Sequence, residues 1–141
     1  MEGDVRLLIV DDNPRLAELT AQLLKGADQQ ARCIKSITLA GDLDTALRLL
    51  PQHDVVLCDE RVPFSSDSRC NRDEWDEACR KAGRRGTYFV LYSTCPGSTD
   101  EALLGDIPAI AKAAAIEEIY TELTKHCLDR WLAAISNQLG H

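Results

Sequence analysis

The chain has 141 residues, enough for one compact domain with its own core, since folding at that length hides about 68–70% of the surface of the unfolded chain. Its 16 Lys and Arg against 23 Asp and Glu give a net charge of −7, which disfavours direct contact with nucleic acid or an anionic membrane. The dense basic run "RKAGRR", Arg80 to Arg85, falls near the end of a predicted helix, where cations complement the helix dipole.

Six cysteines are spread along the chain without any C-x-x-C pair, a pattern that favours neither a zinc site nor a disulfide scaffold. No apolar run approaches the roughly 20 residues of a membrane span. The acidic N-terminus lacks the basic start of a signal peptide. We therefore expect a cytoplasmic protein in a reducing setting.

Over its first two thirds the chain alternates short apolar runs with segments of helical periodicity. Asn13 and Asp42 predict capped helix starts, and Gly26, Pro51 and Gly83 are expected to end three helices. This alternation predicts an α/β fold whose parallel sheet is covered by helices on both faces. The predicted strands are Val5–Val10, Ile34–Ala40, Asp54–Cys58 and Thr87–Tyr92.

The last third leaves two interpretations open. Local propensity predicts one long helix from Pro108, because alanine is a poor strand former, whereas Ile107–Ala111 is the alternative site of a fifth strand. Gly97–Gly105 offers a short helix before it. Residues 114–139 keep helical spacing for about twice the dozen residues needed to cross a sheet. We predict an extended C-terminal helix that either meets a partner or a second copy, or bends back onto the domain.

Polar residues able to do chemistry end three of the predicted strands. Asp11 and Asp12 follow the first, Asp59 the third, and Ser93 and Thr94 the fourth. Taken singly, such acids are more often helix caps than ligands. If the first and third strands are neighbours, however, three carboxylates meet, and two charges 4 Å apart repel by about 4 kcal/mol at an effective dielectric of 20. A divalent cation, or raised pKa values, would relieve that repulsion, and Mg²⁺ would keep waters for a phosphoryl group.

A lysine would complete such a phosphoryl site, and Lys112 supplies one if it closes a fifth strand. The segments "LLIVDDNP", "DVVLCDERVP", "VLYST" and "IAK" together resemble the receiver domain of bacterial two-component response regulators. The resemblance covers about residues 5–125, and its most specific part is the Asp-x-x-x-Pro from Asp59 to Pro63 behind an apolar strand. It implies a CheY-like, flavodoxin-like (βα)5 receiver domain at residues 1–125 with strand order 2-1-3-4-5. Residues 126–141 would be a helical extension of that domain.

The resemblance also implies the chemistry of the acidic residues. Asp59 would accept a phosphoryl group from a histidine kinase, a phosphotransfer protein or a small phosphodonor. Asp12, the Asp59 carboxylate and the backbone carbonyl of Arg61 would hold Mg²⁺, and Asp11 would assist through water. The domain would then switch its interaction with a downstream protein.

Around the implied switch the sequence departs from the family. Ser93 would be the switch hydroxyl that binds a phosphoryl oxygen, with Thr94 as the alternative, and Lys112 would pair with the aspartyl phosphate. Family members usually have a proline after this lysine and an aromatic residue three positions before it; here Ala113 and Ala109 stand there. These departures leave phosphate chemistry in place and point to output through another surface.

Three functions follow from these observations. The first is a phosphoacceptor signalling domain, which would be no enzyme beyond self-phosphorylation and autodephosphorylation. The second is a pseudo-receiver that binds proteins without phosphate, which the altered surroundings of Lys112 favour. The third is a small Mg²⁺-dependent phosphohydrolase with Asp59 as nucleophile, although Arg61 stands where a second general acid would be needed.

Overall fold

The computed structural model describes residues 5–29, 31–59, 72–93, 109–111 and 115–124. Its strands form one five-stranded sheet in which every neighbouring pair is parallel. The strands are β1 (Val5–Val10), β2 (Ile34–Ala40), β3 (Val55–Asp59), β4 (Tyr88–Ser93) and β5 (Ala109–Ala111). Their order, β2-β1-β3-β4-β5, confirms the predicted doubly wound α/β fold.

Helices follow β1, β2, β3 and β5, and the helices after β1 and β2 begin where the sequence predicts. The Asn13 side chain accepts a hydrogen bond from the backbone N–H of Leu16 at 3.2 Å, and Asp42 accepts one from Thr45 at 2.7 Å. Each cap satisfies a donor that the first helical turn leaves without a partner in the helix. The helices are α1 (Pro14–Ala27), α2 (Leu43–Leu49), α3 (Arg72–Arg84) and α4, whose described part covers residues 116–124.

Two of the three predicted helix ends were slightly wrong. Helix α1 passes through Gly26, because Asp28 continues the helical pattern by donating its N–H to the Leu24 carbonyl at 3.0 Å. Helix α3 passes through Gly83, and the chain turns at Gly86, whose φ of 98° lies in the region that favours glycine. The predicted end of α2 at Pro51 is confirmed, since α2 ends at Leu49 and Pro51 lies in the 3₁₀ turn Leu50–Gln52 that follows, where a proline is tolerated.

The segment before the last helix is a strand. Ala109–Ala111 pairs with β4, so the prediction of one long helix from Pro108 is wrong there, and the alternative of a fifth strand is confirmed over these three residues. Pairing with an existing sheet edge outweighs the helical propensity of alanine. The helix considered at residues 97–105 and the C-terminal extension beyond residue 124 lie outside the described residues.

Each face of the sheet carries a hydrophobic cluster, and β1 contributes to both by alternation. Leu8 and Val10 pack with α2 and α3, whereas Leu7 and Ile9 pack with α1 and α4. Because burying one leucine contributes about 1.5–3 kcal/mol, this two-sided burial holds the strand ends in place. No helix within the described ranges has the length and apolar character needed to cross a membrane.

Candidate functional site

The carboxyl ends of β1 and β3 lie side by side. Val10 of β1 pairs with Cys58 of β3, so the next residue of each chain segment, Asp11 and Asp59, stands at the same level. Asp59 is the last residue of β3, where it also pairs with Tyr92 of β4. The strand register therefore sets two aspartates next to each other at the end of the sheet.

Asp11, Asp12 and Asp59 form one acidic cluster, in which one carboxylate oxygen of each residue lies within 4.8 Å of the others. Asp11 and Asp59 are only 4% and 5% exposed, whereas Asp12 is open to solvent. At that separation two buried charges repel by about 3 kcal/mol at an effective dielectric of 20. The fold thus keeps like charges together at a point where burial weakens their screening.

Asp11 is held by its neighbours on both sides. Its N–H donates to the Ala40 carbonyl at 2.9 Å, and its Oδ1 accepts the N–H of Asn13 at 2.9 Å. Asn13 therefore has a second role that the sequence analysis missed, since it was predicted only as a helix cap. The signal was available, because an aspartate commonly accepts a bond from the N–H two residues on.

The donor set of the acidic cluster fits Mg²⁺. Carboxylate oxygens are hard ligands, and two oxygens about 2.1 Å from an octahedral Mg²⁺ lie roughly 3 to 4 Å from each other. The three carboxylates, within 4.8 Å, need only small side-chain rotations to reach that spacing. The exposed Asp12 leaves one side of the cluster open to water and to a further oxygen ligand.

The other candidate residues are only partly within the described chain. Ser93 is the last residue of β4, beside Asp59's strand, and its backbone pairs with Ala111 of β5. Lys112 follows Ala111 in the sequence. Arg61, Thr94 and Lys112 themselves lie outside the described residues, so their predicted roles stay predictions.

The carboxylate of Asp54, at the opposite, amino-terminal end of β3, accepts several hydrogen bonds. Arg6 donates to Asp54 from its backbone N–H at 2.9 Å and from Nε and a terminal guanidinium nitrogen, both at 3.1 Å. The hydrogen bond from the Arg6 side chain lowers the pKa of Asp54 below its ordinary value. This ion pair joins the start of β1 to the start of β3.

Asp28, which follows α1, is 8% exposed and accepts three hydrogen bonds. The backbone N–H groups of Cys33 and Ile34 donate to it at 2.7 and 3.0 Å, and the Tyr120 hydroxyl of α4 donates at 2.5 Å. Burial, followed by the hydrogen bond to Asp28, raises the pKa of Tyr120. Asp28 thus joins the start of β2 to α4.

No protein-family model and no curated protein matches the chain. Solved structures do resemble it. A response regulator receiver domain protein from Clostridium thermocellum has a TM-score of 0.67 at 12% identity, over 92% of this chain and 99% of that one. The receiver domain of the putative response regulator NarL from Mycobacterium tuberculosis has a TM-score of 0.60 at 23% identity, over 92% and 97%.

A third structure is the isolated REC domain of RcsB from Salmonella enterica serovar Typhimurium, in the presence of the phosphomimetic BeF3−. Its TM-score is 0.58 at 16% identity, over 91% of this chain and 90% of that one. At these identities the likeness is one of fold. The chain has the fold of response regulator receiver domains.

Proposed function

We propose that the chain is a phosphoacceptor signalling domain in which Asp59 takes a phosphoryl group in an Mg²⁺-dependent reaction. The observation that carries the proposal is the acidic cluster, which gathers Asp11, Asp12 and Asp59 at the carboxyl end of a parallel sheet. That end is where open α/β sheets hold their ligands. The likeness to the RcsB REC domain, studied with a phosphomimetic, supports the same chemistry.

Each acid has a distinct part in the proposed reaction. Asp12, the Asp59 carboxylate and the Arg61 carbonyl would hold Mg²⁺, with Asp11 acting through water. The metal would neutralise charge on the phosphoryl oxygens. Asp59, at the end of a buried strand, presents its carboxylate from a fixed backbone position, which favours attack in one geometry.

The transfer itself forms one bond and breaks one. An Asp59 carboxylate oxygen attacks phosphorus, and with acetyl phosphate the bond from phosphorus to the acetate oxygen breaks. Acetate then leaves with the bonding electron pair, and Asp59 carries an acyl phosphate. With a phosphohistidine donor the phosphorus–nitrogen bond breaks and the imidazole nitrogen keeps the pair.

Ser93, with Thr94 as the alternative, and Lys112 are proposed to contact the phosphoryl oxygens. The pairing of Ser93 with Ala111 supports this, because it brings the chain just before Lys112 to the same edge of the sheet as Ser93. A hydroxyl and an ammonium there would stabilise the added negative charge. The proposed partners are a histidine kinase or phosphotransfer protein and a downstream protein; the chain is proposed to act in the cytoplasm.

Incubation with acetyl phosphate and Mg²⁺ tests the proposal. We expect one phosphoryl group per chain, seen as a shifted band on a phosphate-affinity gel and as a mass increase. Asp59→Asn should abolish the shift, and EDTA should reduce it strongly. Asp54→Asn is the matched control, because it makes the same substitution just before the other end of β3 and should leave labelling unchanged.

Other outcomes decide against the proposal. No labelling by acetyl phosphate, phosphoramidate or a phosphorylated histidine kinase would favour a pseudo-receiver that binds proteins without phosphate. Release of many phosphates per chain from a phosphomonoester would favour a phosphohydrolase. Circular dichroism of Asp59→Asn must match that of the wild type for the loss of labelling to count.

A further inference from the structure

A basic groove lies away from the acidic cluster, between the end of α1 and β2. It has a volume of about 350 Å³, and Lys25, Arg32 and Lys35 contribute three cations to its lining. All three side chains are exposed. In a chain with a net charge of −7, this groove gathers positive charge from three separate elements: a helix, a turn and a strand.

One carboxylate, that of Asp28, also lines the groove and accepts hydrogen bonds from Cys33, Ile34 and Tyr120. Neutral donors do not remove its charge, so three cations and one carboxylate leave the lining with a formal charge of +2. The three cations are exposed to solvent, whereas Asp28 is buried. The groove is therefore suited to an anionic ligand.

The groove runs along the edge of the sheet. β2 pairs with β1 and, among the described strands, with no other. The Ala40 carbonyl accepts the N–H of Asp11, so the backbone groups of Ala40 face β1, and alternation turns those of Thr38 and Ser36 the same way. The N–H and C=O groups of Ile37 and Leu39 consequently point away from the sheet, and this alternation ends at Lys35, where the register of β2 against β1 shifts.

The two features meet at Ile37, which belongs both to the groove lining and to the outward-facing edge. Lysine on an edge strand often serves only to prevent unwanted pairing. That reason does not extend to Lys25 and Arg32, which lie on a helix and in a turn. A ligand that uses the whole surface has both negative charge and an unpaired peptide backbone.

We propose that this surface binds an extended, acidic protein segment, which adds to the sheet as a strand beside β2. Main-chain groups of the segment pair with Ile37 and Leu39, and its carboxylates lie against Lys25, Arg32 and Lys35. The half-exposed side chain of Leu39, 37% exposed, offers an apolar contact at the far end of the strand. A nucleic acid would use the cations but not the backbone edge, so the surface favours a peptide.

A labelled peptide of alternating glutamate and valine tests the proposal by fluorescence anisotropy at low ionic strength. The variant Lys25→Gln, Arg32→Asn, Lys35→Gln should bind it about tenfold more weakly, the scale expected when three exposed ion pairs are lost. Asparagine is chosen at position 32 because Arg32 has a φ of 51°, which asparagine tolerates.

The matched control removes the same charge elsewhere. Lys81→Gln, Arg84→Asn and Arg85→Gln take three exposed cations from the end of α3, and this variant should bind as the wild type does. On binding, hydrogen exchange of the amides of Ile37 and Leu39 should slow, while the amides of Ser36 and Thr38 should change little because they already face β1.

Three results would overturn the proposal. One is equal binding by a peptide methylated at every backbone nitrogen, which keeps the charge but has no N–H to pair. Another is equally tight binding of a short single-stranded oligonucleotide, which would assign the groove to phosphate. The third is equal weakening by the α3 control variant, which would show that net charge alone governs binding.

Discussion

The two ends of the sheet treat carboxylates in opposite ways. At the amino-terminal end, Asp54 accepts three hydrogen bonds from Arg6, and Asp28 accepts three from its own surroundings. At the carboxyl end, Asp11, Asp12 and Asp59 lie within 4.8 Å of one another. The first arrangement gives each acid several donors, whereas the second brings three acids together, with Asp11 also accepting the N–H of Asn13.

The two arrangements affect the stability of the fold differently, and the second is the proposed functional site. A buried carboxylate with several donors stabilises the fold, because its lost hydration is replaced by hydrogen bonds. Neighbouring carboxylates reduce the stability of the fold until a cation or an added group balances them. Substitutions at the two ends of the sheet should therefore change stability in opposite directions.

The largest expected effect is at Asp28. Asp28→Ala leaves the N–H groups of Cys33 and Ile34 and the hydroxyl of Tyr120 without their acceptor, and each such loss costs about 1–3 kcal/mol. We expect the free energy of unfolding, measured in urea, to fall by about 4 kcal/mol. Tyr120→Phe removes one of the three bonds and should cost about 1 kcal/mol. Equal losses in the two variants would contradict the importance of the backbone donors.

Asp59→Asn should have the opposite sign. Without divalent metal, removing one of two buried like charges should raise the free energy of unfolding by about 1–2 kcal/mol, part of the repulsion estimated for the cluster. Mg²⁺ at about a hundred times its Kd should stabilise the wild type by about 2.7 kcal/mol and the variant much less. Urea unfolding in EDTA and in Mg²⁺ measures both. Equal stabilisation of the two proteins by Mg²⁺ would remove Asp59 from the metal site.

The smallest expected effect is the pH dependence due to Asp54. Because its pKa is lowered by folding, its contribution to stability is present above the ordinary aspartate pKa of about 3.9 and is lost as the pH falls through the lower, folded value. Asp54→Asn should therefore flatten the fall in melting temperature below about pH 4. Arg6→Gln should flatten it less, because the backbone N–H of residue 6 still donates to Asp54, and the double variant should behave as Asp54→Asn does. A steeper fall in either single variant would contradict this pairing.

Much of the fold could be predicted because burial leaves a periodic pattern. The apolar residues of β1 and the caps at Asn13 and Asp42 are local signals, and all three were interpreted correctly. The end of α3 was predicted wrongly, because Gly83 lies inside the helix and the chain turns only at Gly86, just before β4. Of the candidate site, the three acids were named from the ends of strands. The second role of Asn13 was overlooked.

The sequence by itself determined the elements and the types of residue that end them: a strand before Asp11, another before Asp59, and a chemistry of carboxylates. It left Ala109–Ala111 undecided, because alanine favours a helix locally and only pairing with β4 makes these residues a strand. Tertiary structure alone decided that the three carboxylates meet, that Asp28 reaches Tyr120, and that Lys25, Arg32 and Lys35 share one groove. Such contacts join residues far apart along the chain, and their geometry follows from strand order and packing, which local propensity does not encode.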